Sequence, residues 1–359
     1  MSRVHNFSAG PAALPLEVLD NIRNDLPDWQ GTGMSVMEIS HRSPEFIELA
    51  ERCEANLREL LGISDDYSVL FTQGGATMQM TMAPMNLSGA NGVADYVVTG
   101  SWGKKAVGEA GKFCKTNIAA DASDRNFTYI PDESSWQRSE GAEFLHYTPN
   151  ETIAGVEFHF VPGGDAPLVA DMSSTILSRP IDVSQFGVIY AGAQKNIGPA
   201  GITVVIVRND LLERAPANLG HLMTWRSYAE SGSMTNTPPT FAWYVTDQVF
   251  LWLKAQGGLD AMAEINRRKS SGLYAAIDAS DFYSNPVQED CRSWMNIPFV
   301  LADADLDSRF LQESKAVGLT NLKGHRSVGG MRASIYNAVS EESVVALIDF
   351  MNEFEKDNG

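Results

Sequence analysis

The feature that most constrains this 359-residue sequence is a series of six strand-length apolar runs: "YSVLFT", "ADYVVTG", "EFLHYTP", "PLVADMS", "GVIYAGA" and "GITVVIV". Between several of them lie polar or helix-patterned segments. Alternation of this kind predicts an α/β fold with a mostly parallel, mixed sheet flanked by helices. The tail changes character after about residue 258. It mixes strand runs ("SWMNIPFVLAD", "GGMRASIYNA") with helical ones ("SRFLQESKAVG", "EESVVALIDFMNEFEK"), which predicts a smaller α+β C-terminal domain. The expected division is an irregular arm over 1–15 that associates with the small domain, a large domain over 16–258 and the small domain over 259–359.

Helices are signalled as clearly as strands. In "SPEFIELAERCEANLRELLG", Ser43 suits an N-cap, Pro44 the first turn and Gly62 the stop. Phe46, Leu49, Cys53, Leu57 and Leu61 recur at helical spacing, so Cys53 reads as packing. Further helices are expected from about Thr240 to Gln256 and again beyond Gly258. The other cysteines, Cys114 and Cys291, lie far from each other and form no CxxC pair, which fits a reducing, cytoplasmic compartment. The opening residues lack the apolar core of a signal peptide, and no apolar stretch is long enough to span a bilayer. A formal charge of −18, from 27 Lys+Arg against 45 Asp+Glu, argues against nucleic acid or an anionic membrane as partner. No metal site is expected.

Three features at the ends of the strand runs carry chemistry. "QGGAT", after "YSVLF", opens a helix, where free amides, the dipole and the Thr77 hydroxyl suit a phosphate. Taken alone it reads equally well as a tight connection. Asp171 ends "PLVAD" and, on its own, reads equally well as the cap of the next helix. Lys195 follows "GVIYAGAQ" with small or apolar residues on both sides. Desolvation there lowers an amine's pKa and makes it a nucleophile. A nucleophilic lysine, an acid for a pyridinium nitrogen and a phosphate cradle are together what pyridoxal 5'-phosphate requires.

The motifs "NFSAGPAALP", "HRSPEF", "GSWGKKA", "HYTPNETIAG", "ADMSSTILSRPIDVSQFGVIYAGAQKNIGPAG", "TNTPPTFAWY" and "GHRSVGGMRASIYNA" cover nearly the full chain. On these motifs the chain resembles the phosphoserine aminotransferase family, fold-type I enzymes of aminotransferase class V that use pyridoxal phosphate. The resemblance implies that Lys195 is the lysine bonded to the cofactor and the carrier of the proton, with Asp171 on the ring nitrogen. It implies that Trp102, otherwise readable as a core tryptophan, stacks on the ring, and that Thr152 meets its phenolic oxygen. Ala76, Thr77 and Gln194 correspond to phosphate contacts, and Asn236 and Thr237 would reach the same phosphate from a second subunit of a homodimer. Many relatives have "GGGR" where this chain has "GGAT", a change that removes a guanidinium from that phosphate.

For substrate, two His-Arg pairs stand out among only six histidines: His41-Arg42 and His325-Arg326, followed by Arg332. Clustered forked donors suit phosphate. The resemblance assigns Arg332 and Arg42 to the substrate carboxylate and His41, His325 and Arg326 to its phosphate. The implied reaction is a ping-pong transamination between O-phospho-L-serine/3-phosphohydroxypyruvate and L-glutamate/2-oxoglutarate, in serine biosynthesis. The family also acts on a phosphorylated four-carbon substrate in pyridoxine biosynthesis, giving 4-phosphohydroxy-L-threonine. The rivals are an alanine–glyoxylate type aminotransferase, a cysteine desulfurase and a non-catalytic binder of the cofactor. A desulfurase would carry histidine, not Gln194, before the lysine, and Cys291 beside the core run "RSWMNIPF" reads as packing. An alanine–glyoxylate enzyme would have little use for two His-Arg pairs.

Overall fold

In the computed structural model of the chain, which describes residues 3–359, all six apolar runs become strands of one seven-stranded sheet. Its order is Tyr67–Thr72, Thr203–Arg208, Val188–Gly192, Leu168–Asp171, Leu145–Tyr147, Val93–Val98 and Lys115–Asp121. Only Thr203–Arg208 runs antiparallel to its neighbours; the remaining pairings are parallel. The seventh strand, Lys115–Asp121, escapes the sequence reading because it is an edge strand whose side chains stay largely in water and so carry no apolar run.

The antiparallel strand has a local consequence. Parallel neighbours need a long crossover, whereas antiparallel ones can be joined by a loop. Residues 193–202 are such a loop, and Lys195 lies in it. By contrast, the helices Gly75–Leu87 and Ser101–Ala110 begin just beyond the C-terminal ends of Tyr67–Thr72 and Val93–Val98. Their N-termini therefore converge on the sheet edge where α/β proteins bind ligands.

The helix expected between Ser43 and Gly62 runs over Pro44–Leu61. Ser43 Oγ accepts from Phe46 N at 3.4 Å, and Gly62 closes the helix in the left-handed region at φ 64°. Its buried face, including Cys53, joins the large core and meets Trp243 of the helix Thr240–Ala255 through Phe46, ring edge to face at 5.9 Å. A second core lies under the antiparallel strands Tyr283–Ser284, Asn296–Leu301 and Met331–Ser334. There Phe310 packs against Phe299, Phe350 and Phe354. His5–Asn6 of the N-terminal arm pairs in parallel with Leu319–Thr320, and Phe7 is buried in this same core. The helix Gly258–Asp278 starts where the sequence suggests a division, but both cores share it. Leu259 and Met262 belong to the first core, and Leu273 and Ile277 to the second. Among the described residues no helix is long and apolar enough to cross a membrane.

Candidate active site

Four strand ends and two helix starts enclose a cavity of about 210 Å³. Lys195 enters from the 193–202 loop, which closes on itself through Gly198 N donating to Ala193 O at 2.8 Å. Asp171 enters from the end of the neighbouring strand. One of its carboxylate oxygens accepts from Ser173 N at 3.0 Å and Ser173 Oγ at 2.6 Å, an Asx turn that fixes the side chain as the strand ends. The same Ser173 hydroxyl accepts from Gly192 N at 3.0 Å, tying the two strand ends together.

The phosphate-like end is built from the turn Gly74–Gly75. Both glycines are left-handed, at φ 89° and 67°, and a Cβ on Gly74 would stand 2.6 Å from Met78 Cβ. This turn starts the helix that brings Ala76 and Thr77 into the wall. Across from it, Gly192 lies against the same helix start, where a Cβ would stand in ordinary contact, 3.4 Å from Ala76 N. Gln194 also lines the cavity and holds the N-terminal arm through Ala12 N donating to its carbonyl at 2.8 Å.

Trp102, at the start of Ser101–Ala110, and Thr152 complete the predicted set in the wall. Thr152 Oγ1 accepts from Lys195 Nζ at 2.6 Å, while the Thr152 carbonyl accepts from Arg332 Nη1 at 3.3 Å. Arg332 thus touches a wall residue from the second core without lining the cavity itself. Buried asparagines hold that approach: Asn337 N donates to Asn196 Oδ1 at 3.0 Å, and Asn266 Nδ2 to Asn337 Oδ1 at 2.9 Å. Within the single chain, His41, Arg42, His325, Arg326, Asn236 and Thr237 do not line the cavity. His325 bonds Ser327 Oγ at 2.7 Å. Gln73 Nε2 donates to the Thr237 carbonyl at 3.3 Å and lies 3.5 Å from Asn236 Oδ1.

Glu151 and Ser173 go unnoticed in the sequence although both lie in the motifs quoted above. Glu151 is fully buried, and its carboxylate accepts from Trp102 N at 3.1 Å and Gly103 N at 2.8 Å. Gly100 is glycine because a Cβ there would meet the Glu151 carboxylate carbon at 2.3 Å. The signal for Ser173 is an Asp with Ser two residues on; that for Glu151 is a carboxylate beside Thr152.

The electrostatics follow from burial. Desolvation brings Lys195 down to about 8, with Asp171 and Glu151 opposing the shift and Arg332 adding to it. Burial raises Asp171 against the bonds from Ser173 and the charge of Lys195. It also raises Glu151 to about 7. The result is an amine that is readily neutral facing a buried acid. Cys291 offers no such chemistry: it is buried in a small cluster with Val156 and Val287, and burial pushes its thiol up to about 12.

With this geometry established, a family model described as aminotransferase class-V matches residues 4–347. The chain belongs to the class-V aminotransferase family. It is 57% identical over 353 residues to a phosphoserine aminotransferase of Hahella chejuensis, covering 98% of each chain. It is 55% identical to that of Pseudomonas aeruginosa, covering 99% of each. A solved phosphoserine aminotransferase of Bacillus circulans subsp. alkalophilus superposes at a TM-score of 0.97 with 47% identity and 99% of each chain covered. A pyridoxal-phosphate-bound one from Trichomonas vaginalis superposes at 0.94 with 40% identity, covering 98% of this chain and all of that one. An alanine–glyoxylate aminotransferase from Nostoc, at 16% identity, shares the fold.

The class-V aminotransferase is thus a pyridoxal-phosphate-dependent enzyme, and the wall of its cavity suits that cofactor. An amine, a carboxylate and a helix N-terminus face one space. Three buried polar atoms in the wall have no partner among the described residues: Thr148 Oγ1, Asn150 Oδ1 and Trp102 Nε1. Unpaired groups of this kind are costly unless a ligand meets them.

Proposed function

We propose that this chain interconverts O-phospho-L-serine plus 2-oxoglutarate with 3-phosphohydroxypyruvate plus L-glutamate, as a cytoplasmic homodimer of the serine biosynthetic route. The observation carrying the chemistry is that Lys195 and Asp171 converge on one cavity from neighbouring strand ends. The substrate reading rests on the name that relatives of 55–57% identity share. Three free, buried cysteines suit a reducing compartment.

When bound, pyridoxal phosphate supplies an aldehyde that takes up the amino group and a ring that spreads the electron pair released at the substrate Cα. Lys195 Nζ, neutral in a substantial fraction near its lowered pKa, would hold the cofactor through that aldehyde, with loss of water. With its amine free, Lys195 would be the base that takes the substrate Cα proton and holds it for return. Asp171, anchored by Ser173, keeps a proton on the ring nitrogen. Thr152 Oγ1 aligns the lysine and would donate to the phenolic oxygen, and Trp102 would cover the ring. Ala76, Thr77 and Gln194 hold the phosphate, joined by Asn236 and Thr237 of the partner subunit. Arg332 and Arg42 receive the substrate carboxylate. His41, His325 and Arg326 receive its phosphate, some of them across the dimer. The amino donor and the acceptor use one site in turn, a ping-pong sequence.

Two assays test this. The purified chain should transfer nitrogen from O-phospho-L-serine to 2-oxoglutarate far faster than from L-serine or L-alanine; equal rates would end the substrate assignment. Arg326→Ala should raise the KM for 3-phosphohydroxypyruvate by about tenfold or more, the loss of a charge-assisted contact, and change that for glutamate little. An equal rise for both would remove Arg326 from the phosphate.

A further inference from the structure

Among the described residues Lys195 is the only cationic side chain in the cavity wall, and the proposed chemistry reserves it for the aldehyde end. No other cationic side chain in the wall is left for a phosphate at the Ala76–Thr77 end, while Asp171 adds a carboxylate to the same wall. The nearest cation is supplied by the facing helix. Lys105 Nζ donates to Thr77 Oγ1 at 3.0 Å and stands 5.4 Å from the centroid of the Trp102 ring. Both contacts are with wall residues.

The ammonium already has the Trp102 ring and the charge of Glu109 nearby, but no anion stands on its Thr77 side. Helix N-termini carry partial positive charge and repel cations, yet this ammonium is turned toward the first turn of Gly75–Leu87. A carboxylate was within sequence reach: Glu109 lies four residues on, where a helical neighbour would sit. Glu109 bonds Lys112 at 2.6 Å instead, and Lys105 forms no ion pair among the described residues. This exposed lysine donates to a neutral hydroxyl at a positive helix end. A dianion placed there would accept from the amides, the Thr77 hydroxyl and the ammonium together. The unpartnered Thr148 Oγ1, 98% buried in the same wall, independently marks the space as one that a ligand completes.

We propose that Lys105 is the cationic partner of the cofactor's phosphate, reaching it alongside Thr77. The inference rests on the reading above that the phosphate sits at the Ala76–Thr77 end. As an exposed side chain, Lys105 contributes an interaction that salt weakens. It holds the cofactor and takes no part in proton transfer.

The test compares two forms of the cofactor. Apo-protein of the wild type, Lys105→Met and Lys105→Arg is titrated with pyridoxal phosphate and, separately, with pyridoxal, which lacks the phosphate. Tryptophan fluorescence reports binding, and thermal melting without cofactor checks that each variant folds. Lys105→Met should weaken pyridoxal phosphate by roughly tenfold at low salt, leave pyridoxal unchanged and lose the difference as salt rises. Lys105→Arg should keep most of the wild-type affinity. Equal weakening of both ligands, or of neither, overturns the proposal. If the wild type itself binds the two ligands equally, the phosphate reading of the Ala76–Thr77 end fails, and the lysine's role fails with it.

Discussion

Lys195→Ala should bind pyridoxal phosphate without the visible absorbance of a covalent link to the protein, and its turnover should drop by about 10³-fold or more. General-base catalysis alone is worth about 10² to 10⁴ in rate, and the variant loses the nucleophile as well. The cavity survives, since Thr152, Asp171 and the helix start are untouched, so fluorescence quenching should still report binding. The lowered pKa supplies a second reading of the same amine. Lys195 is depressed to about 8 chiefly by burial, so its neutral, reactive fraction rises as pH climbs through that value. The rate at which wild-type apo-protein gains visible absorbance should climb with it and level off above. A midpoint near the ordinary lysine value of 10.5 would show that the amine is not desolvated as the structure has it. Retained absorbance and turnover in Lys195→Ala would remove the lysine from the chemistry altogether.

Much of this site is legible along the chain because its parts sit at strand ends, where apolar runs stop and small residues take over. "PLVAD", "GVIYAGAQK" and "LFTQGGAT" place Asp171, Lys195 and Thr77 by the period of the strands alone. Fold-level prediction of a ligand crevice at that edge then gathers them. Other parts are not legible for equally physical reasons. The strand Lys115–Asp121 lacks an apolar run because it borders solvent. Lys105 looks like any solvated helix lysine until Thr77, 28 residues earlier, comes alongside. Glu151 reads as a surface carboxylate in "PNETIAG", because nothing local announces that two backbone amides from another strand-helix turn will surround it. The sharing of Gly258–Asp278 between two cores is invisible to composition, which sees only one amphipathic helix. Contacts across a second subunit, to which the resemblance assigns Asn236 and Thr237, depend on surfaces that no periodicity within one chain encodes.

Replacing Glu151 should separate the two things its carboxylate does. The side chain is fully buried and accepts both Trp102 N and Gly103 N. Glu151→Ala strands these two amides in the interior and leaves a hole between Gly100 and Gly103, a destabilisation of about 3 kcal/mol, readable as a lower melting temperature. Trp102 loses the anchor of its backbone, so cofactor affinity should fall too. Glu151→Gln keeps an acceptor oxygen and most of the volume while removing the charge, and its effect lies in pH. Burial raises Glu151 from 4.5 to about 7. An acid with a raised folded-state pKa favours the protonated form on folding. Its contribution to stability is complete below pH 4.5 and disappears as pH rises through about 7, a swing of about 3 kcal/mol. Wild-type apo-protein should therefore lose more stability than Glu151→Gln between about pH 5 and pH 8. Asp171 and Lys195 titrate in both proteins, so the difference between the two curves belongs to Glu151. The same charge opposes the lowering of Lys195, and without it the amine's midpoint should move below about 8, bringing absorbance in at lower pH. Parallel stability curves with an unmoved midpoint would mean that Glu151 is a spacer whose charge does not reach the lysine. A curve that flattens while the midpoint falls would make this carboxylate, hydrogen-bonded to the backbone of Trp102, the group that sets when the lysine is ready to react.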